Sequence, residues 1–325
     1  MDVSQLAILR ELADRGSVTA VAAATGKSPS AVSQQLRTLQ RQVGVELVER
    51  AGRGVRLTAA GVALAESSVA IATAIAEAEA TWDAYQGAAS GEVRVSMFHS
   101  AAELFVPGLL ERVAAHGDIR LVVDDQDVSQ DEFAALAADY DIVVAHRSDD
   151  VLPPVQGALR IVPLMREPLD VALPLGHPLA GKASVTPAEV IGENWIGNPE
   201  GYPFDRVLDR LAEQAGSRPR IVHRTGYLPL AESLVARGHG VALLPRHTAV
   251  ARAAGRYRLM PLADLRAGRH VEALLRPDRA ARRAVRIVLS ELQAEARVTA
   301  GEATVTPSAQ MTSTGNSHEP VTSSR

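Results

Sequence analysis

Residues 28–44 constrain the fold most, because this one stretch marks both ends of a helix and gives its two faces opposite chemistry. Ser28 is a typical N-cap, and Pro29 suits the first helical position, where its missing N–H costs no hydrogen bond. Apolar residues at helical spacing predict one buried stripe, formed by Val32, Leu36, Leu39 and Val43. The other face has no acidic side chain and carries Ser30, Ser33, Gln34, Arg37 and Arg41. Such a face suits base edges and phosphates, although an ordinary amphipathic surface helix would share the apolar stripe.

Two predicted helices precede this one. The first, with Leu6 and Leu9 on its apolar face, ends near Gly16, and residues 18–25 form a short, alanine-rich second helix. Gly26 permits the tight turn that follows. Two short helices, a glycine-containing turn and a third helix with a polar face are typical of a helix-turn-helix, whose last helix enters the major groove of DNA.

Residues 45–58 predict a two-stranded hairpin, because two short β-prone runs flank a tip of glycine and arginine. Arg50, Arg53 and Arg56 would then lie near a phosphate backbone, whereas an arginine-rich surface loop without a partner is the alternative. Residues 1–61 hold eight basic and five acidic side chains, a balance of +3, while the whole chain carries −4. A basic end on an acidic body predicts one DNA-docking module and not a general nucleic-acid coat.

Residues 31–61, AVSQQLRTLQRQVGVELVERAGRGVRLTAAG, resemble the winged helix-turn-helix of LysR-type transcriptional regulators. Gln40 departs from the usual pattern, where a glutamate is common, and so does Val48, where an aromatic residue is common. The resemblance implies a double-stranded DNA operator as partner. The residues expected to read bases are Ser33, Gln34 and Arg37. The remaining expected DNA contacts are Ser28, Ser30, Thr38, Arg41, Arg50, Arg53 and Arg56.

Residues 58–86 predict one long helix, since they are rich in alanine, lack proline and begin at a capping threonine. A small winged domain cannot cover its apolar stripe, which comprises Leu64, Ser68, Ile71, Ile75, Ala78 and Trp82. Either the chain's own C-terminal domain or a partner chain would cover it, and the resemblance implies a homodimer or a homotetramer. Glu66, Glu77 and Glu79 interrupt the region, so we expect no membrane span. The absence of cysteine and of a signal-like start suits a cytoplasmic protein.

From residue 92 to residue 145 predicted strands and helices alternate in the order βαβαβ, and a similar pattern restarts after residue 164. This order predicts a mostly parallel sheet in each of two lobes, closed by one helix at 279–296. Residues 166–180, REPLDVALPLGHPLA, and 232–245, ESLVARGHGVALLP, resemble the crossing strand and the helix–strand unit of the LysR-type effector domain. The expected fold class is α/β: a winged helix-turn-helix, a long linker helix and a bilobed domain like that of periplasmic binding proteins.

A chain of 325 residues is long enough for two or three domains with their own cores. The predicted units are a DNA-binding domain at 1–58, a linker helix at 59–90 and an effector domain at 91–297. Its lobe I is expected at 91–162 and 268–297, and its lobe II at 163–267. Residues 298–325 are rich in Thr, Ser, Gly and Pro, so we expect a disordered tail.

In open α/β sheets, ligands bind beyond the carboxyl ends of the strands, near helix N-termini that favour anions. The residues that follow predicted strands in this way are His99, Ser100, His146, Arg147, Asn198 and Thr225. The resemblance supports Ser100 and Thr225 most directly, because small hydroxyl residues at matching places hold the effector in these regulators, and it adds Ser129. We therefore expect a small-molecule effector, with anions favoured, at these seven positions.

The sequence contains no phosphate-binding loop, no nucleophile elbow and no histidine pair at metal-ligand spacing. We therefore expect no catalytic residue, no metal and no cofactor. The resemblance implies a transcriptional regulator whose effector changes operator binding or promoter activation, with RNA polymerase as a partner if it activates. The alternatives are a bilobed small-molecule-binding protein, or an enzyme, with an appended DNA-binding module.

Overall fold

The computed structural model describes residues 1–52, 54–87, 89–152, 159–200 and 202–301. Within these residues, a helical N-terminal unit, one long helix and a larger α/β body follow one another along the chain. Two predictions lie outside the described residues: the wing contact of Arg53 and the tail beyond residue 301.

The N-terminal unit begins with three helices, α1 (Val3–Arg15), α2 (Val18–Thr25) and α3 (Pro29–Val43). Each helix ends at a glycine with a left-handed backbone: φ is 65° at Gly16, 64° at Gly26 and 77° at Gly44. A glycine adopts this conformation at little cost, so these three residues fix where the helices stop. The predicted helix-turn-helix is confirmed to within a few residues.

Helix α3 has the predicted cap and the predicted stripe. The Ser28 hydroxyl accepts a hydrogen bond from the Ala31 N–H at 3.2 Å. Val32, Leu36 and Leu39 are buried in one core with side chains of α1 and α2, and only Val43, in the last turn, is half-buried. The helix is thereby held by its apolar side, and its polar side faces outward.

The wing follows α3 as an antiparallel hairpin of β1 (Val48–Ala51) and β2 (Gly54–Leu57). Gln40 fixes this hairpin to α3, because its side-chain oxygen accepts hydrogen bonds from the N–H groups of Leu47 (3.0 Å) and Val48 (2.9 Å). Two backbone donors at the start of the wing are thus satisfied. Gln40, which departs from the family pattern, thus supplies an uncharged hydrogen-bond acceptor that holds the wing to α3.

A single helix, α4 (Ala59–Tyr85), leaves the wing as predicted. The Thr58 hydroxyl accepts a hydrogen bond from the Gly61 N–H at 3.1 Å and donates one to the Glu46 carbonyl at 2.8 Å. Gly61 lies so close to the wing that a Cβ there would collide with the Leu47 carbonyl oxygen. The start of α4 is therefore fixed to the N-terminal unit.

The apolar stripe of α4 is covered only near its N-terminal end. Leu64 is half-buried and Ser68 is buried. Farther along, Ile71, Ile75 and Trp82 are 40%, 40% and 58% exposed. The single chain therefore leaves most of the predicted stripe uncovered.

Helix α4 is, among the described residues, the one helix long and apolar enough to cross a membrane, with a mean hydropathy of 1.6. The expectation that Glu66, Glu77 and Glu79 make this region too polar for a membrane span was therefore wrong. One 18-residue stretch of α4 contains at most two charged residues. Length and composition are weak evidence, because the core helix of a folded domain passes the same test. Here α4 packs against α1.

The α/β body contains nine strands in the described residues: β3 (Gly91–Met97), β4 (Ile119–Asp125), β5 (Ile142–Ser148), β6 (Arg160–Pro174), β7 (Asn194–Gly197), β8 (Arg220–Arg224), β9 (Ala242–Pro245), β10 (Tyr257–Met260) and β11 (Gly268–Leu275). Its α-helices there are α5 (His99–Ala114), α6 (Phe133–Leu136), α7 (Pro187–Val190), α8 (Pro203–Ala215), α9 (Leu228–Ala236), α10 (Arg246–Ala253), α11 (Pro277–Ala281) and α12 (Arg283–Thr299). The alternation of strands and helices is as predicted, with α7, α10 and β10 as additions.

The main sheet, of seven strands, is mixed, so the prediction of a mostly parallel sheet was wrong. Strand β3 pairs in parallel with β4 and β5, as the βαβαβ order requires. Strand β11 is antiparallel to β5 and β6, and β6 is antiparallel to β9 and β10. The chain crosses from one lobe to the other in β6 and returns in β11, and two successive crossings in opposite directions must pair antiparallel.

Separate hydrophobic cores lie on the two sides of these crossings. Phe105 and Leu292 belong to the core of lobe I, and Trp195 belongs to the main core of lobe II. Along β6, Met165 is the last residue in the first core and Leu169 is the first in the second. The body is thus bilobed, while the exact domain limits stay predictions.

The closing helix predicted at 279–296 is instead two helices, α11 and α12. Arg282 separates them with an extended backbone, φ −61° and ψ 135°. Its guanidinium donates hydrogen bonds to the Asp141 carboxylate at 2.7 Å and the Glu92 carbonyl at 3.0 Å. Since Asp141 is buried, the break adds a second cation, beside Arg279 at 3.2 Å, to a carboxylate that is costly to bury unpaired.

Helix α1 lies against lobe I. Arg276, directly after β11, has a side chain that is 6% exposed and forms ion pairs with Glu11 at 2.9 Å and Asp14 at 3.0 Å. Arg10 pairs with Asp278 of α11 at 2.8 Å. These partly buried pairs, together with the packing of α4 on α11, join the N-terminal unit to the body.

Candidate DNA-binding surface and effector cleft

The outer face of α3 presents cations without carboxylate partners. Gln34, Arg37 and Arg41 are exposed, and Ser33 is half-buried beside them. Arg37 forms no ion pair with any described residue, and Arg41 donates a hydrogen bond to the Thr38 hydroxyl at 3.1 Å. A phosphate or a base edge could therefore bind these groups without first displacing an internal carboxylate.

The N-terminal end of α3 is polar and open. Ser28 and Ser30 are both exposed, and their hydroxyl oxygens are 2.9 Å apart. The first turn of a helix also carries unpaired backbone N–H groups and the positive end of the helix dipole. Both features favour a phosphate at this end of α3.

The wing carries one unpaired and one paired arginine in its described part. Arg50 is exposed and forms no ion pair there. Arg56 forms an ion pair with Glu49 across the hairpin at 2.6 Å, with the two side chains 71% and 43% exposed. The predicted contact of Arg53 cannot be placed, since that residue lies outside the described part.

A cleft of about 280 Å³ lies between the two lobes of the body. Residues at the start of α5 and the end of β5 line it from lobe I, and residues around the starts of α8 and α9 line it from lobe II. The described residues that line it are Phe98, His99, Ser100, Asp127, His146, Asn198, Tyr202, Phe204, Gly226, Tyr227, Leu228, Pro229, Arg252 and Arg269. The walls are mostly apolar, with a few polar groups, as in small-molecule sites.

The cleft brings together four of the seven residues predicted to contact an effector: His99, Ser100, His146 and Asn198. Ser100 lies in the first turn of α5, which follows β3, and His146 lies near the end of β5. These positions agree with the rule that ligands bind beyond the carboxyl ends of strands.

The other three predicted residues lie outside the lining and have other contacts. The Ser129 hydroxyl donates a hydrogen bond to Glu132 at 2.7 Å. Arg147 pairs with Glu272 at 2.9 Å, because successive residues of a strand point to opposite faces and His146 takes the face toward the cleft. The Thr225 hydroxyl accepts a hydrogen bond from the Tyr227 N–H at 3.1 Å.

Sequence reasoning missed Arg269, the most buried charged side chain in the described lining of the cleft. Its guanidinium donates hydrogen bonds to one Glu167 carboxylate oxygen from Nε at 2.9 Å and from Nη2 at 2.6 Å, and Nη2 also donates to the Ser100 hydroxyl at 2.8 Å. The side chains of Arg269 and Glu167 are 4% and 0% exposed. The rings of Phe98 and Phe204 lie 4.6 Å and 5.4 Å from the guanidinium carbon.

His146 is an uncharged member of the lining. Burial, and secondarily the nearby Arg269, lowers the pKa of His146 to about 3. The imidazole packs edge-on against Phe98 and Phe133, with ring centroids 4.7 Å and 5.2 Å away. At neutral pH this side chain offers one hydrogen-bond donor and one acceptor, and no charge.

Both parts of the molecule match known families. Residues 3–62 match the bacterial regulatory helix-turn-helix proteins of the lysR family. Residues 86–297 match the LysR substrate binding domain. The two matches cover the α1–α3 unit with its wing and the whole bilobed body.

Among characterised relatives, the transcriptional regulator CbbR of Xanthobacter flavus is 29% identical over 80% of this chain and 78% of its own length. A probable hydrogen peroxide-inducible genes activator of Mycobacterium avium is 30% identical over 82% and 85%. Both alignments span most of each protein, so the similarity extends across the DNA-binding unit and the body.

Solved structures share the fold of the chain. A full-length OxyR from Pseudomonas aeruginosa superposes with a TM-score of 0.63 at 20% identity, covering 92% of this chain and 95% of that one. Full-length CbnR, crystallised with its target DNA, gives 0.52 at 20% identity and covers 91% and 100%. Together with the family matches, these findings show that the chain belongs to the LysR family of transcriptional regulators, with a DNA-binding helix-turn-helix followed by an effector-binding domain.

Proposed function

We propose that α3 and the wing are the operator-reading surface of this regulator. Ser33, Gln34 and Arg37 read bases in the major groove, since they lie on the outer face of α3. The residues that hold the phosphate backbone are Ser28, Ser30, Thr38, Arg41, Arg50, Arg53 and Arg56. The observation that carries this assignment is the exposed, carboxylate-free face of α3, on which Arg37 has no ion pair among the described residues.

The cleft between the lobes is the proposed effector site, with His99, Ser100, His146 and Asn198 as contacts. Ser129, Arg147 and Thr225 lie outside its lining and are proposed only as indirect supports of the site. A ligand held from both lobes prefers the closed arrangement of the body. The ligand can therefore shift the equilibrium between the open and the closed arrangement. The size of the shift is limited by the difference between its affinities for the two.

The ion pairs of Arg276 with Glu11 and Asp14 offer a physical connection between the two functions. Because they join α1 to lobe I, a movement of lobe I changes the position of the DNA-binding unit or breaks these pairs. Effector binding is thereby coupled to operator binding. Where the regulator activates, the coupling extends to contact with RNA polymerase.

The uncovered stripe of α4 is the proposed subunit interface. LysR regulators form oligomers. Ile71, Ile75 and Trp82 stay exposed within the single chain, so a second subunit is needed to cover them. A homodimer formed through α4 places two copies of α3 on one operator, and two dimers make a homotetramer.

The family consists of transcriptional regulators, which are not enzymes, and we extend this to the chain itself. Its effector is expected to be recovered unchanged after incubation. A cytoplasmic location is part of the proposal, because the regulator must reach DNA. A bilobed binding protein without coupling is the rival, and it predicts ligand binding that leaves every DNA footprint unchanged.

Selection from random double-stranded DNA tests the proposal. The full-length protein is expected to enrich an interrupted palindrome whose half-sites are separated by whole helical turns, as two symmetric copies of α3 require. Ile75→Glu is expected to reduce the sedimenting mass and to leave single half-sites. Val250→Glu, at an exposed position of α10, is the matched control and should change neither result. If no DNA sequence is enriched, the proposal that α3 reads an operator is wrong. If Ile75→Glu sediments with an unchanged mass, the proposal that α4 forms the subunit interface is wrong.

A further inference from the structure

The charges around the cleft are already balanced by side chains of the protein. Arg269 is held by Glu167, and both side chains are buried. Arg252 is ion-paired with Glu103 of α5 and with Glu232 of α9, the latter at 3.2 Å. Asp127 adds a further carboxylate to the lining. Among the described residues, an anionic ligand would therefore meet no unpaired cation, and it would lose its hydration without compensation.

The polar groups that remain available are uncharged. The Ser100 hydroxyl accepts a hydrogen bond from Arg269, so its own hydrogen is left to donate to a ligand. The imidazole of His146 is buried, uncharged and part of the lining, and its Nδ1 has no hydrogen-bond partner among the described residues. Asn198 contributes an amide on the opposite wall. This set matches a ligand group that both donates and accepts hydrogen bonds without carrying charge.

The apolar part of the lining is aromatic. Phe98 and Phe204 flank the guanidinium of Arg269, and Tyr202 and Tyr227 enter from lobe II. Aromatic walls favour a flat ligand that stacks or meets their edges. A volume of about 280 Å³ lies at the lower limit of ligand pockets, so it suits one or two rings.

We propose that this cleft binds an uncharged, planar ring compound with one hydrogen-bonding substituent, and not a carboxylate or a phosphate. The proposal rests on the assignment of the cleft as the effector site. It departs from the expectation that helix N-termini in the cleft favour an anion, because internal carboxylates already pair with the buried Arg269 and with the half-buried Arg252.

Isosteric probe pairs test the charge preference directly. Titration calorimetry of the full-length protein at neutral pH compares benzamide with benzoate, and nicotinamide with nicotinate. Each amide is expected to bind at least about tenfold more tightly than its carboxylate, since the carboxylate meets no unpaired cation. Equal or tighter binding of the carboxylates, or no binding of either amide, would overturn the proposal.

A pair of glycine variants locates the binding. Gly226 lines the cleft, and among the described residues a Cβ there would meet only Pro199, at 3.7 Å, so Gly226→Leu adds a side chain at the cleft wall without a close backbone contact. Gly192→Leu is the matched control, because that glycine is exposed and has no atom within 4 Å of an added Cβ. Amide binding should be lost in the first variant and kept in the second. Loss in neither variant would place the ligand elsewhere and overturn the assignment.

Calorimetry reports on the ligand class alone, whereas the DNA footprint reports on regulation. Amide binding that leaves the footprint unchanged would contradict effector coupling while the ligand class holds. Carboxylate binding that changes the footprint would contradict the ligand class while effector coupling holds. The two proposals can therefore fail separately.

Discussion

The DNA-binding surface and the effector cleft use arginine in opposite ways. Arg37 and Arg50 are exposed, have no ion pair among the described residues and lie within one short stretch of chain. Arg269 is buried and donates two hydrogen bonds to Glu167. It donates another to Ser100, which lies 169 residues away in the sequence. A cation that must meet a charged polymer stays hydrated until it binds. A cation in a closed cleft needs an internal carboxylate, because its burial would otherwise be too costly.

The largest effect that would test this comparison is the loss of the internal carboxylate. Glu167→Gln leaves Arg269 buried without a counter-charge, and we expect a loss of about 3–5 kcal/mol in the free energy of unfolding of the body. Urea unfolding followed by tryptophan fluorescence measures it, since Trp195 is fully buried in lobe II. Glu49→Gln, which removes the partner of an exposed arginine, is the control and should cost at most about 1 kcal/mol. Equal losses would show that burial does not separate the two pairs.

The DNA-binding end could be predicted almost completely because its signals are local. The cap of Ser28, the stop at Gly44 and the apolar stripe all act within a few residues of one another, and the limits of α3 were accordingly right. The role of Gln40 was not foreseen, because its partners Leu47 and Val48 lie across a turn whose geometry the sequence pattern does not specify.

The cleft could be predicted only where strand order alone places a residue. His99, Ser100 and Asn198 follow strands, His146 lies near the end of β5, and all four line the cleft. The pairing of Arg269 with Glu167 depends on the antiparallel register of β6 and β11, which joins residues 102 positions apart. Since the prediction of a mostly parallel sheet missed that register, it also missed the pair.

A pH series gives the next largest effect and tests whether the cleft excludes charge. The pKa of His146 is lowered to about 3 by burial, whereas in the unfolded chain it lies near 6.5. Between these values the unfolded state binds more protons, so stability is complete above about pH 6.5 and falls as the pH decreases. From pH 6.5 to 4.5 this histidine should account for a loss of about 2.3 kcal/mol.

The variant His146→Gln isolates that contribution, because glutamine has no charge at any of these pH values. The difference in unfolding free energy between wild type and variant is expected to change by the same amount over the range. If the unfolding free energies of wild type and His146→Gln change in parallel with pH, His146 is hydrated in the folded state. The contrast between a charge-excluding cleft and a hydrated DNA-binding surface would then be weaker.

Arginine substitutions on the DNA side have a smaller expected effect, and they separate base reading from backbone binding. Arg37→Ala should weaken binding to the selected operator by about 1–3 kcal/mol and reduce the preference for it over random DNA. Arg50 in the wing is also exposed, and Arg50→Ala should weaken binding to both DNAs alike. Fluorescence anisotropy on the two DNAs measures both results. An equal loss of preference in the two variants would contradict the division of roles between α3 and the wing.

The smallest expected effect concerns the one DNA-side arginine in the described residues that resembles those of the cleft. Arg56 is ion-paired with Glu49, but both side chains are largely exposed, so the pair should contribute at most about 1 kcal/mol to stability. Glu49→Gln releases Arg56 for a phosphate and should steepen the slope of log binding constant against log salt by about 0.9. If the slope stays unchanged while the fold is intact, Arg56 does not reach the backbone. Exposure alone would then not identify an arginine that binds DNA. The stricter criterion would be exposure together with the absence of an ion pair among the described residues, as at Arg37 and Arg50.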